Sequence, residues 1–211
     1  MYRLVLFDLD GTLLNSDRMI IETFRELYFL YRPDYHPSDD YILTFSGPQI
    51  VDTLKKEFPD RDQKFMLSEY RERSVKNYVK YAELYPGVRE LIKELNEKRI
   101  NFAVVTNKHR YATDYTYELF HLTGQIPFSV CADEAKHLKP AGDGIWMCMK
   151  HFGVTNQDEV IYVGDGYIDY LTAKNAGVKF GYVTWSPRHL EADAKIDLKI
   201  ENYQQFLEEI L

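Results

Sequence analysis

The hydrophobic pattern of this chain opens on a short apolar run, passes through a purely helical stretch, and then alternates between the two. Tyr2-Arg3-Leu4-Val5-Leu6 is mostly apolar and is closed by the Gly-containing turn of Phe7-Asp8-Leu9-Asp10-Gly11-Thr12, which predicts a buried strand. From Ser16 to Ala82 the pattern is helical throughout, with no strand-like alternation. Ile20, Ile21, Phe24, Leu27, Tyr28 and Tyr31 follow one helical stripe, which Asn15, Ser16 or Asp17 would cap and Arg32-Pro33-Asp34 ends. Further helices are predicted over residues 38–44, over 49–58 with Ile50, Leu54 and Phe58 on one side, and over 63–81 with Met66, Leu67, Tyr70, Val75 and Tyr78 as apolar positions.

From Leu84 onward helix and strand alternate. A helix carrying Val88, Leu91, Ile92 and Leu95 precedes a strand over 101–106, and a helix over 111–122 precedes a short strand over 128–131. A helix through Ile145, Met149 and Phe152, a strand over 159–163, a helix to Ala176 and a strand over 179–183 follow, then a loop and a last helix from Tyr203. Short connections between alternating elements imply right-handed βαβ units and a parallel sheet with helices on both faces. The chain therefore divides into an α/β core of residues 1–15 and 83–211 and an all-helical insertion of residues 16–82. Inserted directly after the first strand's loop, the helical block is a candidate lid over the strand ends.

Composition narrows the classes of function. With 211 residues, 45% apolar and 28% charged, the chain has the make-up of a globular protein, and no apolar run is long enough to span a bilayer. A formal net charge of −7 argues against a nucleic-acid backbone as ligand and suits a metal site. Cys131 and Cys148 lack the close spacing of zinc ligands or a redox pair and read as buried free thiols. The chain enters its first strand and motif at once, so cleavage of a leader would remove the chemistry; a cytoplasmic protein is expected.

Asp8 and Asp10 fall where the first strand ends. A carboxylate there can attack a phosphoryl group, and a second one two residues on can move protons. Taken alone, Asp10-Gly11 is equally the turn that ends a strand. Three later signals decide for chemistry: Thr106 with Asn107, Lys139, and Asp165 with Asp169 all lie at or just after predicted strand ends, which a parallel sheet brings to one edge. Asp165 and Asp169 are four apart across a helix start, a spacing that puts both on one face. Four clustered carboxylates raise one another's pKa values, and Mg2+ together with the Lys139 ammonium would relieve this; magnesium takes oxygen ligands and keeps waters.

Asp8-Leu9-Asp10-Gly11-Thr12, Thr106-Asn107, Lys139-Pro140 and Gly164-Asp165 with Asp169 resemble the four ordered motifs of the haloacid dehalogenase superfamily, over the whole chain. The resemblance implies a Rossmann-like parallel sheet with an inserted all-α cap, similar to that of phosphoglycolate phosphatases, pyrophosphatases and β-phosphoglucomutases. It implies Asp8 as nucleophile and metal ligand, and Asp10 as acid then base, with its backbone carbonyl also on the metal. It further implies Thr106 and the amides around Asn107 as phosphate binders, Lys139 steadying Asp8 and the phosphate, Asp165 as a Mg2+ ligand, and Asp169 supporting it or pairing with Lys139.

Relatives that dehalogenate, or that hydrolyse phosphonates, lack a carboxylate at the position of Asp10, so a phosphatase or a phosphomutase is expected here. Thr106-Asn107-Lys108, Tyr85-Pro86-Gly87 and Ser46-Gly47-Pro48 look more like the phosphoglycolate phosphatase branch. The substrate implied is a small phosphorylated metabolite, phosphoglycolate-like or a sugar phosphate, acted on by a monomer or homodimer without nucleic acid or membrane as partner. A β-phosphoglucomutase-like enzyme and a phosphate-binding module without turnover are the alternatives.

Two departures stand out. Ala141-Gly142 replaces a second Pro common in relatives, which would loosen that loop, and the bulky Tyr167 between Asp165 and Asp169 would narrow the pocket. Lys108 admits two readings, a phosphate contact or a helix-start surface residue. His109 reads as a polar residue in the first turn of a helix. His121, His137 and His151 have no metal spacing, and the tyrosines of the insertion read as packing.

Overall fold

Each predicted strand of the core is short because a strand covered on both faces needs only apolar side chains, and it stops where the polar loop residues begin. The computed structural model describes residues 2–211, and β1 (Leu4–Phe7) runs into the loop of Asp8–Leu13. Next come β2 (Leu14–Asn15), α1 (Asp17–Tyr31), α2 (Asp39–Leu43), α3 (Ile50–Glu57), α4 (Gln63–Tyr81) and β3 (Glu83–Leu84). The remainder is α5 (Val88–Glu97), β4 (Asn101–Val105), α6 (Arg110–Leu119), β5 (Ser129–Val130), α7 (Asp143–Phe152), β6 (Val160–Gly164), α8 (Tyr167–Ala176), β7 (Lys179–Val183), β8 (Leu198–Ile200) and α9 (Tyr203–Ile210). Contacts divide the chain into two compact units, Met1–Leu14 with Leu84–Leu211, and Asn15–Glu83.

The larger unit is a six-stranded sheet in the order β5-β4-β1-β6-β7-β8, parallel at every pairing. Its strand at residues 198–200 corrects the loop expected there; Leu-Lys-Ile is too short for alternation to register, yet it pairs with Gly181–Val183. Side-chain alternation along β1 feeds two cores. Leu4 and Leu6 join Ala103, Val105, Ile145, Cys148, Tyr162, Ala173 and Phe180 in a buried cluster that includes α7 and α8. Phe7, from the opposite face, meets the rings of Tyr203 and Phe206 on α9 edge-on. Cys131 and Cys148 are buried free thiols, as expected. β1 is central, flanked by β4 and β6, so the loops after these three strands leave the sheet side by side.

The smaller unit is four helices. Phe24, Leu27, Ile42, Leu54, Phe58 and Met66 are buried in it. The buried Glu57 accepts hydrogen bonds from Tyr28 Oη at 2.9 Å and Tyr41 Oη at 2.7 Å. Along α4 the inward face differs from the apolar stripe expected: Val75 is 47% exposed, and Asn77 is buried instead, donating to Thr23 Oγ1 and Glu26. Polar positions on a buried face blur the hydrophobic period. Among the described residues no helix is long and apolar enough to cross a membrane.

Candidate active site

Register fixes the height of the first candidate residue. Phe7 lies opposite Val104 on β4 and Val163 on β6, so Asp8 is the first residue beyond β1, its amide bonded to the Val163 carbonyl at 2.8 Å. Thr106 holds the equivalent place after β4, with its amide on the Val130 carbonyl at 3.0 Å, and Asp165 follows β6 directly. Lys139 reaches the same point from the loop before α7. Its Nζ is 2.7 Å from Asp8 Oδ1 and 2.7 Å from Asp169 Oδ1, and it donates to Tyr162 Oη at 3.1 Å.

Carboxylate oxygens of Asp8, Asp165 and Asp169 all lie within 4.8 Å of one another, and the three residues are buried. This is an all-oxygen donor set of the kind magnesium takes, and its charge calls for a cation: among the described residues, the ion pairs of the three carboxylates are with Lys139 and Arg188. The residues present therefore fit a divalent metal. They do not fit it equally. Asp169 Oδ2 accepts the amides of Asp165 and Gly166 at 3.2 Å each, and its Oδ1 takes Lys139 and Tyr162. Asp165 precedes α8 and Asp169 sits in its first turn, so the pair does not share one face of a helix as its spacing suggests; Asp169 folds back over the helix start instead.

Asp10 stands apart from this cluster. Lys108 Nζ donates to both of its carboxylate oxygens, at 2.9 and 2.8 Å, which holds that lysine against Asp10. Thr106 Oγ1 accepts the Lys108 amide at 3.1 Å. The Asn107 side chain brackets the backbone of Lys139, accepting from its N–H at 3.0 Å and donating to its carbonyl at 3.2 Å. That clamp holds the loop expected to be loose, as do the Asn175 amide on the Pro140 carbonyl at 2.8 Å and the approach of Gly142 to Ala176, where a Cβ would lie 2.9 Å from its Cα. Tyr167 turns its hydroxyl to Asp193 at 3.2 Å. His109 is the residue preceding α6.

Sequence reasoning missed three groups. Arg188 Nη1 lies 2.8 Å from Asp165 Oδ2, and Ser186 Oγ donates to the same oxygen at 2.5 Å; both come from the segment between β7 and β8, which carries no periodic signal. Tyr162 is fully buried mid-strand, where it reads as an apolar residue, but its hydroxyl also reaches the Val105 carbonyl at 2.9 Å. Gly11 permits the close packing around Asp165. It has a φ of +87°, and a Cβ there would collide with the Asp165 carboxylate and lie 2.8 Å from Arg188 Nη1.

Burial pushes Asp8 up to about 8, because desolvation together with Asp169 and Asp165 outweighs the pull of Lys139. Burial likewise raises Asp165 to about 6, Arg188 opposing and Asp169 adding to it. Lys139 is lowered by burial, but Asp169 and Asp8 overcome this and hold it above the ordinary lysine range. An unfolded chain releases these carboxyl protons near pH 4, whereas the folded protein keeps them to higher pH, so raising the pH between those values favours unfolding. Metal-free protein is accordingly expected to lose thermal stability from pH 5 to pH 8, by a few kcal/mol in order of magnitude, checked by melting in chelator across that range.

Residues 5–183 match the family model of haloacid dehalogenase-like hydrolases. The pyrophosphatase PpaX of Halalkalibacterium halodurans is 35% identical over 184 residues, covering 87% of this chain and 84% of that protein. Among solved structures, a predicted phosphoglycolate phosphatase from Haemophilus somnus aligns with a TM-score of 0.83 at 21% identity, over 100% of this chain and 98% of that one. A haloacid dehalogenase-like hydrolase from Streptococcus pneumoniae aligns at 0.82 with 19% identity, over 100% and 99%. The two structures establish a common fold, and the family match with the 35% relative goes further: this chain belongs to the haloacid dehalogenase-like hydrolase family.

Proposed function

We propose that this hydrolase is a Mg2+-dependent phosphatase of small phosphorylated compounds that works through an aspartyl phosphate on Asp8. The observation that carries the reading is the buried cluster of Asp8, Asp165 and Asp169, in which Lys139 pairs with Asp8 and Asp169, beside a second, separately held carboxylate, Asp10, two residues from the first. An Asp8 oxygen attacks phosphorus in line as the bond to the leaving oxygen breaks. Asp10 in its acid form gives that oxygen a proton. Water then attacks the phosphorus of the aspartyl phosphate, Asp10 takes a proton from it, and the bond from phosphorus to Asp8 breaks, restoring the carboxylate and releasing phosphate.

Thr106 Oγ1 and the amides around Asn107 are the donors for the phosphoryl oxygens, while Lys139 offsets charge on Asp8 and the phosphoryl group. Asp8, Asp165 and the Asp10 carbonyl would hold the metal, Asp169 acting mainly by orienting Lys139 and the loop after β6. When bound, the metal supplies charge neutralisation at the phosphoryl oxygens. Residues 16–82 serve in this reading as a cap, and its side chains would select the leaving group. The family's pyrophosphatase relative and the phosphoglycolate phosphatase branch both point to a compact, strongly anionic substrate.

The test is phosphate release from a panel containing pyrophosphate, 2-phosphoglycolate and sugar phosphates, with Mg2+ and with chelator. Turnover of at least one compound is expected, reduced about a hundredfold or more by chelator, the scale of a lost charge-stabilising group. Undiminished turnover in chelator, or isomerised sugar phosphate with no free phosphate, would overturn the reading.

A further inference from the structure

One charge at the candidate centre has no part in this scheme. Arg188 is presented by a braced backbone: Tyr182 Oη donates to its carbonyl at 3.0 Å, and its own amide donates to Ser186 Oγ at 3.3 Å. From there Nη1 donates to Asp165 Oδ2 at 2.8 Å and to Ser186 Oγ at 3.0 Å. Ser186 Oγ donates to that same Asp165 oxygen. The Arg188 side chain is 14% exposed and the Asp165 side chain 4%, so the pair is shielded from solvent.

Charge then acts in two directions. Without a metal, Arg188 joins Lys139 in offsetting the carboxylates of Asp8, Asp165 and Asp169, and it stabilises an arrangement that burial makes costly. With a dication among those same carboxylates, Arg188 has a like charge as its neighbour, and its hydrogen bond occupies an electron pair of Asp165 that a metal could use. We infer that Arg188 is a tethered counter-cation of Asp165 that competes with the divalent metal and sets the metal concentration at which the site fills. The inference rests on the metal-dependent reading proposed above.

The experiment is calorimetric titration with Mg2+ of the wild-type protein, Arg188→Gln and Arg188→Lys, with thermal melts of each in chelator. Arg188→Gln is expected to bind Mg2+ about tenfold more tightly than wild type, the equivalent of one charge-assisted hydrogen bond no longer displaced. Its metal-free melting temperature should fall, and Arg188→Lys should stay within about threefold of wild type in affinity because it keeps the charge. Ser186→Ala removes the oxygen that orients the guanidinium and should tighten binding in the same direction; it carries the test if Arg188→Gln does not fold. Equal or weaker binding in these variants, with clear binding by wild type, leaves the metal reading standing and overturns the competition. Absence of Mg2+ binding in every protein overturns both.

Discussion

Asp8→Asn is expected to abolish turnover, lowering kcat by about 10⁴-fold or more, the scale seen when a nucleophile is removed. The carboxamide is nearly the same size, so the loop after β1 should keep its path; its amide bond to the Val163 carbonyl does not involve the side chain. What is lost is the anionic oxygen that attacks phosphorus. The same substitution has a second consequence that a purely structural role would not produce. Burial holds Asp8 up to about 8, so in metal-free protein near neutral pH the folded state works against ionising it. An amide there carries no charge to desolvate, and Asp8→Asn should melt above wild type at pH 8 in chelator while the two converge at pH 5. Activity assays and melts on one preparation check both halves. Residual turnover above about 1% would remove Asp8 from the nucleophile's place, since surviving groups alone leave far less.

Parts of this site were legible because strand ends are legible. Leu4–Phe7, Asn101–Val105 and Val160–Gly164 are short apolar runs, each closed by a polar residue, and a parallel sheet forces their ends to one edge. The order β4-β1-β6 then sets Thr106, Asp8 and Asp165 on neighbouring strands, an adjacency that no sequence spacing states. Other contributions leave no trace in a pattern. Tyr162 occupies an apolar position of β6 and reads as core, although its hydroxyl reaches Lys139 and Asp169; only the packing of β6 beside β1 brings them together. Arg188 lies in an aperiodic segment, where a basic residue reads as solvated surface. Its role emerges from the path that Ser186 and Tyr182 impose on the backbone. The motif assigns Asn107 a role through its backbone, whereas in the structure its side chain grips the backbone of Lys139.

Lys139→Met should unfold the protein more readily than any other single change at the site, by about 3–5 kcal/mol at pH 8, the cost typical of removing one partner of a buried ion pair. The Lys139 side chain is 5% exposed, and its ammonium lies 2.7 Å from carboxylate oxygens of both Asp8 and Asp169. Methionine fills similar volume and preserves the packing of the stem, so the loss isolates the charge. Without the ammonium, two buried carboxylates must either stay ionised without compensation or take up protons. Protonation becomes easy as pH falls, which sets the sign: the penalty should be large at pH 8 and shrink toward pH 5. Combining Lys139→Met with Asp8→Asn removes one of the stranded charges, and the double variant should recover part of the loss, so that the two effects are not additive. Denaturant titrations of the four proteins at pH 5.5 and pH 8 measure this. A penalty equal at both pH values, and additive with Asp8→Asn, would mean that Lys139 serves the fold through its packing rather than by holding two carboxylates together.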